Sequence, residues 1–258
     1  MVFFLYFQVQ LLMKAFRCDL HIHTCLSPCA ELDMYPRAIV RKVREEKLDI
    51  IGICDHNSSE NAASVQRAAS GLPLTVLPGM EVSSREEVHT LALFDNMSCL
   101  QHFQKVIYDH LPGKNDEDVF GCQAIVNERD EVEGFNQRLL IGATSLSLQE
   151  IISHIHHLEG LAIASHIDRE SFSVIGQLGF IDPSFAFDAL EVTPRLGLAK
   201  ARETFPDLSN YPFITSSDAH FLRDIGGAFT ELWMEAGNFQ ELGMALRGEA
   251  GRRIIGGT

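Results

Sequence analysis

The sequence predicts an α/β fold on a mainly parallel sheet, open or closed into a barrel. Two observations predict it. Short apolar runs alternate with amphipathic stretches along nearly all of the 258 residues, the rhythm of βαβ units. Polar residues recur at or just beyond the ends of those runs: Asp19, His21, His23, Asp55, His56, Glu81, His166, Asp218 and His220. That edge is where barrels and parallel sheets carry their chemistry.

The elements follow in order. Residues 16–22 read as a strand running into Asp19-Leu-His-Ile-His-Thr24. Residues 37–48 form an amphipathic helix with Ile39, Val40, Val43 and the Lys47 stem inward, and Asp33 is read as its N-cap. Residues 49–54 form a buried strand that ends at Asp55-His56-Asn57. Ser59 is placed to cap the next helix and Gly71 to end it. Residues 74–77 form a strand leading to Pro78-Gly-Met-Glu81, and residues 90–94 form another. After a break, residues 148–158 give a helix with an Ile151/Ile152/Ile155/Leu158 stripe. Strands follow at 161–164, 189–192 and 213–216, and a last helix at 238–247. The break, residues 110–147, is acidic and irregular and is expected to be an insertion or lid. Residues 13–258 are expected to form one domain around it. Residues 1–12 read as an extension ahead of a start at Met13, either upstream translated sequence or a flexible edge segment.

Composition narrows the class. Hydrophobic residues are 46% and charged residues 22% of the chain, which excludes a disordered tail, a coiled coil and a collagen-like chain. Net charge is 21 − 35 = −14, the wrong sign for a protein that grips extended nucleic acid by neutralising phosphates. Six cysteines are too sparse for a disulfide scaffold. With no export signal and no apolar run long enough to span a bilayer, a cytoplasmic protein with no membrane role is expected.

The chemistry lies in spacing. On an extended backbone His21 and His23 face the same side, so both imidazoles reach one ion. Asp218-Ala-His220 repeats the geometry with a carboxylate and an imidazole. One such pair is commonly only a pair of hydrogen-bonded histidines; two, joined by Asp55-His56, Glu81 and His166 at other strand ends, make a metal cluster the better reading.

The ordered segments Asp19-Leu-His21-Ile-His23-Thr24, Cys54-Asp55-His56-Asn57, Gly79-Met-Glu81-Val, Ser165-His166 and Ser217-Asp218-Ala-His220 resemble the motifs of the PHP (polymerase and histidinol phosphatase) family. The likeness runs from about residue 16 to 221. It implies a distorted (β/α)7 barrel with an inserted segment, and two or three divalent ions, Zn, Mn or Fe, that hydrolyse phosphoesters. Residue by residue, it makes His21, His23, Glu81 and Asp218 ligands of a first ion, with Glu81 bridging to a second that His89 and His166 complete. His56 and His220 would serve a third. Members usually carry an Asp or His four to six residues past the second histidine; here Ser27, Pro28 and Cys29 stand there, which leaves the choice of two or three ions open.

The expected activity is hydrolysis of a small phosphorylated metabolite or nucleotide by a metal-bound hydroxide, with no side-chain nucleophile. Rival signatures (Gly-x-Ser-x-Gly, His-Glu-x-x-His, Gly-x4-Gly-Lys-[Ser/Thr], Gly-x-Gly-x-x-Gly) are missing from the sequence. Arg169 and Arg195 are candidates for holding the substrate phosphate. Asp19 and Asp55 are read as orienting ligands from behind. His154, His156 and His157 are read as a solvated helix face, and Cys25 and Cys29 as too few for a structural zinc. The acidic stretch 116–133 disfavours a polyanion. Two alternatives stand: a non-catalytic metal-binding module, and an exonuclease-type phosphodiesterase acting on nucleic-acid ends.

Overall fold

Seven strands of the sheet enclose the interior, and their order follows from the connections between them. The structure, a computed structural model, describes residues 12–258; the expected extension falls outside that range apart from Leu12. In chain order the elements are β1 (Lys14–Ile22), α1 (Pro36–Glu45), β2 (Ile50–Ile53), α2 (Ala62–Ala68), β3 (Thr75–Ser83), β4 (His89–Leu93), α3 (Met97–His110), α4 (Glu117–Phe120), β5 (Ala124–Val126), β6 (Val132–Phe135), α5 (Leu148–His157), β7 (Leu161–Ala164), α6 (Val174–Leu178), β8 (Ala189–Val192), α7 (Gly197–Thr204), β9 (Phe213–Thr215), β10 (Thr230–Met234), α8 (Phe239–Arg247) and β11 (Arg253–Gly257). The sheet order is β11-β10-β1-β2-β3-β4-β7-β8-β9.

The β1-β2-β3 and β7-β8-β9 runs are parallel. β4 is the exception, antiparallel to both β3 and β7. Only residues 84–88 join β3 to β4, far too few for a parallel crossover. The reversal matters for the site: it places the first residue of β4, His89, opposite Ser83 at the last turn of β3. The sheet curls shut where Ala219 exchanges backbone hydrogen bonds with β1, at 3.2 Å to His21 O and 3.0 Å from His23 N. Thr230 of β10 adds a side-chain stitch to Thr215 of β9, at 2.8 Å to both its N and its O. β10 and β11, antiparallel strands unforeseen in the sequence, extend the sheet from β1.

Two apolar layers flank the strands. Cys18, Leu20, Ile50, Leu77, Leu91, Leu93, Ile163 and Ile214 fill the interior, closed below by Leu242 and Leu246 of α8. Ile51, Ile53, Val82, Ala92, Leu190 and Val192 face outward against Ile39 and Val43 of α1, Phe103 of α3 and Ile151 and Ile155 of α5. Gly52 allows the close approach of β2 to β1, because a Cβ there would lie 2.3 Å from Leu20 O.

Several local expectations need correction. Lys47 is exposed, beyond the end of α1 in a left-handed conformation. Asp33 does not cap α1; Tyr35 holds the N-cap position and Pro36 opens the helix, since proline's missing N–H needs no acceptor there. Ser59 is bound to Gln104 rather than capping α2.

Residues 110–147 are more ordered than expected: α4 and the β5-β6 hairpin belong to this segment. Asn57 Nδ2 donates to Leu140 O and Gly142 O, and Asn61 Nδ2 donates to Ala124 O. These bonds fasten the segment to the loops that follow β2.

Candidate metal centre

A change of phase in β1 sets the site. Its pairing with β2 shifts register between Asp19 and Ile22. Cys18 and Leu20 therefore belong to the interior layer, while His21 and His23, of opposite parity, project into the site and Ile22 turns outward. A bulge commonly re-aims side chains in this way.

Glu81 of β3 is the hub. Its Oε1 lies 3.4 Å from His21 Nε2, 3.0 Å from His89 Nδ1 and 3.3 Å from His166 Nε2. Its Oε2 lies 3.5 Å from His23 Nε2 and 3.1 Å from His56 Nδ1. Asp218 Oδ1 lies 3.3 Å from Nε2 of both His21 and His23 and 3.6 Å from His220 Nδ1. All eight ligands anticipated from the sequence thus face one pocket. His166 and Asp218 both adopt left-handed backbone conformations, with φ of 30° and 50°. Such strain persists only where the surroundings hold it, and it clusters at functional sites.

The polar groups behind these residues decide which way the rings face. Glu191 Oε2 accepts from His21 Nδ1 at 3.0 Å, which turns Nε2 toward Glu81 and Asp218. Ser27 donates its hydroxyl proton to Asp55 at 2.7 Å and accepts from His23 Nδ1 at 2.9 Å, so His23 Nε2 faces the same point. The two Nε2 atoms are 3.1 Å apart. Asp55 also accepts from the Thr24 amide and hydroxyl. Asp19 accepts from the amides of Ser217 and Gly226 and so fixes the loop carrying Asp218 and His220. The expectation that Asp19 and Asp55 work from behind the ligands agrees with this geometry. Burial pushes both carboxyls up to about 6, against the pull of their hydrogen bonds.

This donor set fits divalent ions. His23, His56 and His220, then His21, His23 and Glu81, then His56, Glu81 and His89 each bring ligand atoms within 4.8 Å of one another. Imidazole and carboxylate donors in buried surroundings suit transition-metal dications. Burial alone would lower the His21 pKa, yet Asp218, Glu191 and Glu81 outweigh it and hold it well above the ordinary value, so the pocket favours positive charge. Burial would likewise raise the Glu81 and Asp218 carboxyls, but the surrounding imidazoles hold both well below the usual range. His23 goes the other way, down to about 3, through burial and the neighbouring His220.

Arg169 stands at the rim, its Nη2 2.6 Å from Asp218 Oδ2. Arg195 is exposed and lies outside the cluster, lining an adjoining cleft that Arg169 shares. A cavity of about 180 Å³ opens above the ligands, with Ile141, Arg169 and Phe172 at its mouth. Phe172 stacks on His89 with ring centroids 4.8 Å apart. Cys25 packs against Ala124 and Val126, and burial pushes its thiol up to about 12, while Cys29 is exposed. His157 is exposed as expected, but His156 is tied to Asp188 at 3.0 Å.

Glu191 was not singled out from the sequence. The signal was there: a carboxylate inside the apolar run Ala189–Val192 must be paired if buried. Ser27, taken as a departure from the family pattern, is the residue that orients His23.

The PHP domain model matches residues 19–179, and a PHP-associated model matches residues 202–250. The uncharacterized protein YqxK of Bacillus subtilis (strain 168) is 26% identical over 278 residues, covering 94% of this chain and 65% of that protein. The lesion-specific endonuclease PfuEndoQ from Pyrococcus furiosus superposes with a TM-score of 0.73 at 18% identity, over 94% of this chain and 58% of that one. Endonuclease Q in complex with a 27-mer duplex carrying an abasic lesion gives a TM-score of 0.71 at 17% identity, over 94% and 59%. The chain therefore spans roughly three fifths of the length of these relatives. The matched model covers more than half of the 258 residues, from the first ligand pair through His166, and the chain belongs to the PHP domain family.

Proposed function

We propose that this chain is a hydrolase that cleaves phosphoester bonds with divalent ions held by His21, His23, His56, Glu81, His89, His166, Asp218 and His220. The observation that carries this reading is the convergence of those residues, from loops and strands nearly 200 positions apart, around Glu81 and Asp218. Bound ions would supply Lewis acidity, drawing charge from a phosphate oxygen and lowering the pKa of a water. The protein's own part is to hold the imidazole rings in one tautomer through Glu191 and Ser27, and to keep Glu81 and Asp218 ionised. Arg169 sits where its guanidinium can turn from Asp218 to a phosphate oxygen, with bidentate geometry suited to that group.

On substrate, we favour a nucleotidic phosphodiester over a small phosphorylated metabolite. The small cavity admits little beyond the phosphate group, and the surface continues outward along Arg169 and Arg195. The fold shared with endonuclease Q, solved on duplex DNA, leans the same way. The net charge of −14 argued against nucleic acid, but it averages over a surface whose sign varies locally. A reducing, cytoplasmic setting remains our reading for a chain whose six cysteines are all free; no helix of the described residues is long and apolar enough to cross a membrane.

The test is a phosphate-release and strand-cleavage screen with Mn²⁺-loaded protein over nucleotides, sugar phosphates, histidinol phosphate, single-stranded DNA and abasic duplex. Asp218→Ala is expected to abolish turnover by orders of magnitude while leaving the fold intact. Turnover of monoesters alone would return the assignment to a phosphatase; no turnover with ions bound would favour the non-catalytic module.

A further inference from the structure

Beside the metal pocket lies a second cleft of about 540 Å³, within the size range of small-molecule sites. Ile175, Leu196 and Phe205 give it an apolar wall, and charged side chains line the rest. Arg195 and Lys200 are exposed at this cleft, and neither makes an ion pair among the described residues. Arg169, which also lines it, is paired with Asp218. Asp168, another lining residue, is committed elsewhere: its two oxygens accept from the Thr193 amide at 2.8 Å and hydroxyl at 2.5 Å. Arg195 and Lys200 therefore balance Asp168 and Glu170, a near-neutral lining with two cations outside any ion pair, on a chain of net charge −14. Arg169 also lines the metal pocket, so the two hollows adjoin at its side chain.

A wall of leucine, isoleucine and phenylalanine carrying cations suits a ligand with a flat apolar face and an anionic group near it. A sugar phosphate offers no such face; a nucleoside does, because bases stack on apolar and aromatic side chains while their phosphates seek Arg and Lys. We propose that this cleft seats the nucleoside unit next to the phosphate being cleaved, with the following phosphate of the strand held by Arg195 and Lys200. The proposal rests on the phosphoesterase reading above and narrows its substrate to a strand segment carrying at least two phosphates.

Binding tests this without requiring turnover. The full chain is titrated with a fluorescein-labelled oligothymidylate across a salt series, read by anisotropy, alongside the double variant Arg195→Glu/Lys200→Glu. The double variant is expected to bind about tenfold more weakly or worse, with a salt dependence shallower by roughly one phosphate contact. Leu196→Ser is expected to weaken the oligothymidylate more than a linear polyphosphate of similar length. Equal affinity of wild type and double variant would overturn the proposal, and so would equal losses for both ligands with Leu196→Ser. Cleavage of bis(p-nitrophenyl) phosphate by Mn²⁺-loaded wild type separates the two readings. Its failure counts against phosphoester hydrolysis and leaves the anisotropy result to decide the cleft.

Discussion

Glu191 Oε2 accepts from His21 Nδ1 at 3.0 Å and from the His166 amide at 3.1 Å. One buried carboxylate of β8 thus fixes a ring from β1 and the backbone that carries another ring beyond β7. Glu191→Gln keeps the shape and removes the charge. It is expected to weaken metal binding about 10- to 100-fold, the usual effect of losing a partner behind a ligand, with the fold retained. Competitive titration with a chromophoric chelator measures it; unchanged affinity would mean that His21 needs no such partner.

If the eight buried or half-buried residues proposed as ligands, held by loops from most of the barrel, bind ions, binding adds to stability. Saturation at a hundredfold excess over Kd is expected to add about 2.7 kcal/mol. Thermal melts with and without EDTA, followed by Mn²⁺ or Zn²⁺ add-back, report this as a reversible shift in Tm. Identical melts would argue that the centre holds no ion.

Asn61 joins the inserted segment to the barrel. Its Nδ2 donates to Thr24 Oγ1 at 2.9 Å and Ala124 O at 3.0 Å, and its Oδ1 accepts from Val126 N at 2.9 Å. Asn61→Leu leaves buried backbone groups of β5 without partners, at about 1–3 kcal/mol for each group stranded. Urea unfolding should show a loss of at least about 2 kcal/mol, and limited proteolysis should nick the hairpin before the barrel. A variant as stable as wild type would show that water replaces the lost partners freely.

Gly52→Ala places a methyl 2.3 Å from Leu20 O, a backbone atom that cannot swing aside. Overpacking of that kind costs about 3 kcal/mol or more when the neighbour is fixed. The variant is expected to express mainly as insoluble protein or to melt well below wild type. Normal melting would mean that β1 and β2 can separate without penalty.

Much of the barrel was legible because its signals are local. Apolar runs such as 161–164 and 189–192 announce buried strands, and the Ile151/Ile152/Ile155 stripe announces α5. The residues that converge on Glu81 and Asp218 were legible because metal chemistry favours histidine and carboxylate, here at strand ends. What escaped depends on distance in the chain. The reversal of β4 follows from a short connection, not from its own residues. Glu191 acquires meaning only from His21, 170 positions away. The order within residues 110–147 comes from asparagines of the preceding loops, and net charge hid the exposed Arg195 and Lys200 of the cleft because a sum carries no map.

The reversed strand has one more result. Because β4 runs from the site end of the barrel to its floor, α3 must climb back, delivering His110 to the rim beside Ser145, whose amide donates to His110 O at 2.8 Å. The excursion between them departs and returns at nearly the same place. Such a segment can lengthen or shorten over generations at small entropic penalty without disturbing strand register, so the barrel carries at its rim a natural cassette for varying what reaches the centre.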